Sequence, residues 1–246
     1  MSSQSSSRWP RLSVVIPALD EEREIGECLA SLARQTFPDF EVIVVDNGSR
    51  DATPAIAARY GARVIREPRR GIPYAREAGF RAARGEIIAS TDADTVVPVD
   101  WLERIHRAFE EDPGVVAVFG PFRHKPGSAP RTPVRPLIPL YEGGLILGQR
   151  VVWRLLGLPH FSGANFAVRK EAFSRAGGFR SPDGRFYSDW EDIQLGFKLR
   201  KLGKVRYLPD LVVLTSARKL RPASARNMIV GNAKRMVRVH ILGRPL

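Results

Sequence analysis

Through the first ninety residues, short runs that are apolar at every position alternate with stretches whose apolar residues recur every three or four. Residues 12–16 read as a strand closed by Pro17, and 42–45 as a second ended by the turn-forming Asp46-Asn47-Gly48-Ser49. Residues 63–65 and 86–90 read as a third and a fourth. Between them, Ile25, Leu29 and Leu32 fall at helical spacing within 21–33, and further helices are predicted near 54–60 and 75–83. Strands apolar on both faces and joined by helices indicate a parallel sheet covered on each side. The expected fold is therefore α/β, with a mostly parallel central sheet of nucleotide-binding type flanked by helices.

The pattern changes after residue 120. Six prolines between 121 and 139 cannot occupy a helix or sheet interior. The apolar stretch 137–158, broken by Glu142, Arg150 and Arg154, predicts a helix lying on the core or at a lipid interface. Beyond it come a strand at 164–168, a short helix at 170–176 and a helical window at 192–202. In 223–241, Ala225, Met228, Ile229, Ala233, Met236 and Val239 form one stripe, with Lys234, Arg235 and Arg238 opposite. Such a basic amphipathic helix suits either packing on the domain or an anionic membrane surface. The expected organisation is a disordered tail at 1–10, a folded domain at 11–216 and a basic extension at 217–246. Within the domain, 11–122 is the α/β half of nucleotide-binding type and 123–216 is a second half of different pattern.

Composition narrows the class. The chain has 246 residues, is 43% hydrophobic and 26% charged, and carries a net charge of +13, as a folded protein does. That charge is uneven: residues 1–122 hold 15 basic and 19 acidic side chains, while the last thirty hold eight basic and none acidic. One cysteine, Cys28, excludes a disulfide framework, and four scattered histidines give no zinc spacing. Cys28 sits beside Leu29 and reads as a packed side chain. The sequence shows no signal-peptide run and no membrane-length apolar segment, so a cytoplasmic location is expected, with peripheral contact at the cytoplasmic face.

Ligands of open α/β sheets gather at the carboxyl ends of the strands. Three acidic groups fall there: Asp20-Glu21, Asp46, and Asp92-Ala93-Asp94. Three acid-bearing loops on one edge repel each other unless a cation or a donor-rich ligand lies between them. In an extended segment Asp92 and Asp94 point the same way, a pairing of hard oxygens suited to Mg²⁺ or Mn²⁺ held jointly with a diphosphate. Neither a P-loop nor a G-x-G-x-x-G follows the first strand.

Three blocks, Val14-Val15-Ile16-Pro17-Ala18-Leu19-Asp20-Glu21-Glu22, Val44-Val45-Asp46-Asn47-Gly48-Ser49 and Ser90-Thr91-Asp92-Ala93-Asp94-Thr95, together resemble a family 2 glycosyltransferase of the GT-A fold. Phe161-Ser162-Gly163-Ala164-Asn165-Phe166, Gly177-Gly178-Phe179 and Asp189-Trp190-Glu191-Asp192-Ile193 resemble the family's later segments, in its order. The resemblance implies an inverting, metal-dependent, single-transfer enzyme using a nucleotide-sugar, a UDP-sugar above others, and a glycan or lipid-linked acceptor. It implies that Asp46 meets the nucleobase and that Pro17, Ala18 and Glu21 line the base and ribose pocket. Arg76 would approach the base or diphosphate, Asp92 the ribose or a metal-bound water, and Asp94 the metal itself. Asp192 would be the base, with Glu191 or Asp189 raising its pKa, and Asn165, His160 and Asp189 would face the acceptor.

Two departures stand out. The chain lacks the Gln-x-x-Arg-Trp block of processive synthases after Asp192, and it has no late histidine for the metal. In that late region Arg218 is expected to meet the diphosphate. The family often has asparagine where Glu77 stands. Two rival readings remain: a nucleotide-sugar-binding protein without turnover, and a basic nucleic-acid-binding protein. The second is disfavoured by the acidic edge and by the scarcity of aromatic residues in the basic tail.

Overall fold

The computed structural model describes residues 9–128, 138–181, 183–186 and 190–218. The chain opens with the expected alternation: β1 (Leu12–Ala18), α1 (Ile25–Ala33), β2 (Phe40–Asp46), α2 (Thr53–Arg59), β3 (Arg63–Arg66), α3 (Ile72–Ala82) and β4 (Ile87–Ser90). There follow β5 (Thr95–Val96), α4 (Trp101–Glu110), β6 (Val115–Phe119) and β7 (Phe122–His124). The rest comprises α5 (Ile138–Leu156), β8 (Phe166–Arg169), α6 (Lys170–Arg175), α7 (Glu191–Arg200), β9 (Lys204–Tyr207) and β10 (Val213–Thr215).

Seven strands form one sheet in the order β3-β2-β1-β4-β8-β6-β9, and β5-β10-β7 form a second, small sheet. β3, β2, β1 and β4 are mutually parallel, as are β6 and β9; β8 runs antiparallel to both its neighbours. This mostly parallel sheet is the expected class. β8 belongs to the second half of the chain yet lies between β4 and β6 of the first, so the halves share one sheet.

Side-chain alternation along β1 explains the two cores. Val14 and Ile16 point to a cluster with Ile25, Leu29, Trp101 and Phe109, beneath α1 and α4. Val15 points to the other, where Phe80 meets the rings of Phe166, Phe173 and Phe179 at 5.8, 4.9 and 5.0 Å. On that face α3 lies unusually close to the strands. A Cβ on Gly79 would stand 2.3 Å from Val15 Cγ1 and 2.9 Å from Val45 Cγ2.

Some boundaries differ from the sequence pattern. α1 starts at Ile25, not at residue 21, because the Glu21 N–H donates to Thr53 Oγ1 at 2.8 Å, which ties that residue to the next loop. Strand β1 runs through Pro17 to Ala18; β4 has stopped opposite Val15 by then, and β2 alone continues. α3 starts at Ile72, with Pro73 in its first turn, where a missing N–H costs nothing. The 1–8 tail, the proline-rich 129–137 segment and the 219–246 extension with its basic helix lie outside the described residues. No described helix is long and apolar enough to cross a membrane.

Gly79→Val should destabilise the fold by roughly 1–3 kcal/mol or more, since the added methyls overpack a closed core. Urea denaturation should show a lower midpoint with an unchanged slope.

Candidate active site

The carboxyl ends of β1, β2 and β4 border a cleft of about 390 Å³. Pro17 and Ala18 line it from the end of β1, Glu21 from the loop that follows, and Asp92 and Asp94 from the loop after β4. Asn47, Gly71, Ala75 and Thr215, which the sequence did not single out, complete the wall.

Asn47 shapes the base of this cleft. Its Nδ2 donates to the carbonyls of Glu67 at 2.9 Å and Arg69 at 2.8 Å, and its Oδ1 accepts the Gly71 N–H at 2.8 Å. It thereby holds the loop into α3 against the end of β2. Asp46 sits just behind, nearly buried, with Oδ1 accepting the Ser49 N–H at 2.9 Å. Asn47 lines the cleft at this point and Asp46 does not.

β10 closes the other side. It pairs antiparallel with β5, setting Thr215 opposite Thr95, and Thr215 Oγ1 donates to Asp94 Oδ1 at 3.1 Å. A threonine hydroxyl thus faces the Asp94 carboxylate from the late strand. Just beyond, Arg218 pairs with the buried Glu21 carboxylate through Nη2. Beneath this loop Cys28 is buried, its thiol donating to the Asp92 carbonyl at 3.5 Å. Burial and the nearby Asp92 and Asp94 charges push its pKa far up, so it is a packed thiol as expected.

Arg76 is the centre of the site. It is buried, donating through Nη2 to Asp92 Oδ1 at 2.8 Å and through Nη1 to Glu191 Oε1. One guanidinium therefore joins the acid-bearing loop after β4 to the first turn of α7. The expected contact was with base or diphosphate; in this structure both terminal nitrogens face carboxylates, and Arg76 does not line the cleft. The guanidinium lies against Gly163, where a Cβ would stand 1.7 Å from Nη2. Burial works against its charge, but Glu191, Asp92 and Asp192 outweigh burial and raise its pKa further.

Asp192 is held from two sides. Oδ2 accepts the Gly163 N–H at 2.7 Å and Oδ1 accepts its neighbour Ile193 N–H at 2.8 Å. Burial first, and then the adjacent Glu191 charge, push its pKa up to about 7; Arg76 and the two N–H donors pull the other way without cancelling that rise. Trp190 caps this helix in the left-handed region at φ 59°, and its ring stands edge-on to His160 at 6.2 Å. His160 is thus near the start of α7, while Asp189 lies outside the described residues.

Asn165 requires a correction. It is 0% exposed, and its amide is fully engaged: Nδ2 donates to the carbonyls of Pro121 at 2.9 Å and Leu211 at 2.6 Å, and Oδ1 accepts Trp101 Nε1 at 2.9 Å. It ties β8, β6 and α4 together and cannot also bind an acceptor. Glu77 has a comparable role: buried, it accepts the Phe179 N–H at 2.9 Å and fastens the Gly177-Gly178-Phe179 turn to α3.

The family described as Glycosyl transferase family 2 matches residues 13–177. A 190-residue stretch is 30% identical to the "Uncharacterized glycosyltransferase EpsJ" of Bacillus subtilis, covering 73% of this chain and 54% of that one. The chain thus spans about half the length of that relative. The fold is similar to the mannosyltransferase PcManGT of Pyrobaculum calidifontis in complex with GDP-Man and Mn²⁺, at a TM-score of 0.68 and 25% identity, covering 93% and 65% of the two chains. It is also similar to S. aureus TarS in complex with UDP-GlcNAc, at a TM-score of 0.66 and 20% identity, covering 87% and 61%.

Arg76→Met should cost about 3–5 kcal/mol, because it leaves buried carboxylates uncompensated. Without the guanidinium, Asp192 loses the cation that limits its rise, and its folded-state pKa, already pushed up to about 7 by burial and Glu191, moves further above the unfolded one. Stability of the variant is then lost as pH rises, so calorimetric melting should show a larger deficit near pH 8 than near pH 5.5.

Proposed function

The chain belongs to glycosyl transferase family 2 and has the GT-A fold, and from that premise we propose that it is an inverting enzyme making a single sugar transfer from a nucleotide-sugar, preferably a UDP-sugar, to an acceptor hydroxyl. The observation that carries this reading is Asp192: a carboxylate with its pKa pushed up to about 7 and oriented by two backbone N–H groups, joined through Glu191 and Arg76 to the acidic loop of the cleft.

The cleft lined by Pro17, Ala18, Glu21 and Asn47 takes the nucleoside, with Asp46 supporting the base-side turn and Arg218 at the diphosphate end. The donor set fits a hard divalent ion, Mg²⁺ or Mn²⁺, held by Asp94 with Asp92 beside it. Among the described residues no three His, Cys, Asp or Glu side chains converge as a complete metal cage. A hard cation of this kind needs only one or two carboxylates when a substrate diphosphate and waters supply the rest. Thr215 Oγ1 orients Asp94, and Arg76 holds Asp92 in register. When bound, the ion neutralises the negative charge of the departing diphosphate.

Asp192 then acts on the acceptor. Its carboxylate takes the proton from the acceptor hydroxyl as that oxygen bonds to the anomeric carbon. The carbon–oxygen bond to the diphosphate breaks on the opposite face, and the diphosphate leaves with the electron pair. Arg76 and Glu191 position this base and contact no substrate. His160 and Trp190 border the acceptor side, a polar ring beside an aromatic face.

The sign of the pH dependence follows from Asp192. Only its ionised form accepts a proton, so kcat/KM should fall about tenfold per pH unit below roughly 7 and level off above it. Asp192→Asn should lower kcat by about 10²–10⁴ while leaving nucleotide binding intact. Equal turnover by that variant would favour the binding-protein alternative.

Calorimetry with UDP and GDP, each with Mn²⁺, Mg²⁺ or chelator, should show metal-dependent binding that Asp94→Ala abolishes. UDP is expected to bind more tightly than GDP; the reverse order would change the donor class and leave the chemistry as described.

A further inference from the structure

Helix α5 has two unlike faces. Inward, Trp153 meets Phe119 edge-on at 5.4 Å, and Gln149 Nε2 donates to the His160 carbonyl at 2.8 Å. Glu142, the helix's one acidic residue, turns onto β7: its Oε1 accepts the His124 backbone N–H at 3.1 Å and lies 2.7 Å from the ring Nδ1. Outward, Leu147, Val151, Leu155 and Leu156 are 63%, 44%, 76% and 57% exposed. Leu147, Val151 and Leu155 repeat every four residues and so form one stripe. These four make up half of the eight large apolar side chains exposed among the described residues, gathered on one helix.

The rim of this stripe is cationic. Arg150 and Arg154 are exposed along it, and Arg200 at the end of α7 lies beside Gly157, where the helix ends. The acid nearby is Asp210, itself 82% exposed and 3.9 Å from Arg150, too loose a pair to neutralise the rim. From residue 123 onward the chain carries 24 basic side chains and 7 acidic ones. An apolar stripe flanked by arginines, whose long stems let the charge rise to the headgroups, has the chemistry of a helix lying in an anionic lipid interface.

We propose that the outward face of α5 seats in the interfacial layer of an anionic bilayer and that the chain takes its acceptor from that surface. The helix leads through Gly157 directly to His160, and His160 faces Trp190 at the start of the helix that carries Asp192. Docking therefore brings the acceptor side of the site to the lipid. The acceptor part of this inference rests on the glycosyl-transfer reading; the docking part does not.

The test is flotation of the full chain with phosphatidylcholine vesicles, neutral or containing about a third phosphatidylglycerol. Wild type should float with the anionic vesicles and not with the neutral ones, and the Leu147→Glu, Leu155→Glu double variant should bind at least tenfold more weakly. That variant should bind UDP or GDP as wild type does, which shows that it is folded. Because Cys28 is buried, Val151→Cys takes a nitroxide alone, and in floated protein that label should be in contact with lipid. Failure of wild type to float, equal flotation of the double variant, or a label kept out of lipid would each overturn the proposal. The last result would put another segment, such as 219–246, on the bilayer or over this face. Flotation without nucleotide binding would instead leave the docking standing and remove the transfer reading.

Discussion

Arg76 donates one nitrogen to Asp92, on the loop after β4, and another to Glu191, at the start of α7, from a position shut away from water. A buried guanidinium without partners is prohibitively costly, and so are three neighbouring carboxylates without a cation. Each group therefore requires the others, and that mutual requirement fixes the distance between the loop after β4 and the start of α7. The close approach of Gly163 to the guanidinium, and of α3 to β1 at Gly79, makes room for the arrangement. The same Gly163 N–H orients Asp192, so one backbone position serves both the ion pair and the Asp192 carboxylate.

The electrostatics of Asp192 follow from this geometry. A carboxylate in the first turn of a helix is ordinarily stabilised as the anion by the helix dipole. Here burial and the Glu191 charge outweigh that influence and move the group toward neutrality, while Arg76 limits the shift. The balance leaves a carboxylate that changes charge near neutral pH, with its pKa pushed up to about 7.

The parallel half of the fold was legible in the sequence because strands buried on both faces leave unbroken apolar runs, as in β1 and β2. The acid-bearing loops were legible because strand ends are chemically marked. The short strands β5, β7 and β10 were not: two or three residues carry no periodicity, and Thr215 became part of the site only through its pairing with Thr95. One of the two partners of Arg76, Glu191, was hidden for another reason. It lies 115 residues away, and no local pattern distinguishes a buried arginine from one facing a ligand. Asn165 misled because its motif looks functional, whereas its amide is occupied by three groups of the fold. Asn47 stands in a recognisable turn, yet its hold on the Gly71 loop is a tertiary contact.

The reversed strand β8 also governs the order in which the molecule can be completed. As the chain leaves a ribosome, β1, β2, β3 and β4 can pair early, but the far edge of β4 is satisfied only when residues 166–169 arrive. Until then that edge presents the unpaired N–H and C=O groups of a largely apolar strand, the kind of surface on which nascent chains stick to one another. β6 is equally incomplete, because β8 must enter between two strands already made. The turn around Gly163 immediately precedes this closing strand. A nascent chain consequently gains the Gly163 N–H that holds Asp192 in the same event that seals its sheet, and a half-made molecule has the cleft edge of β1, β2 and β4 with nothing behind it.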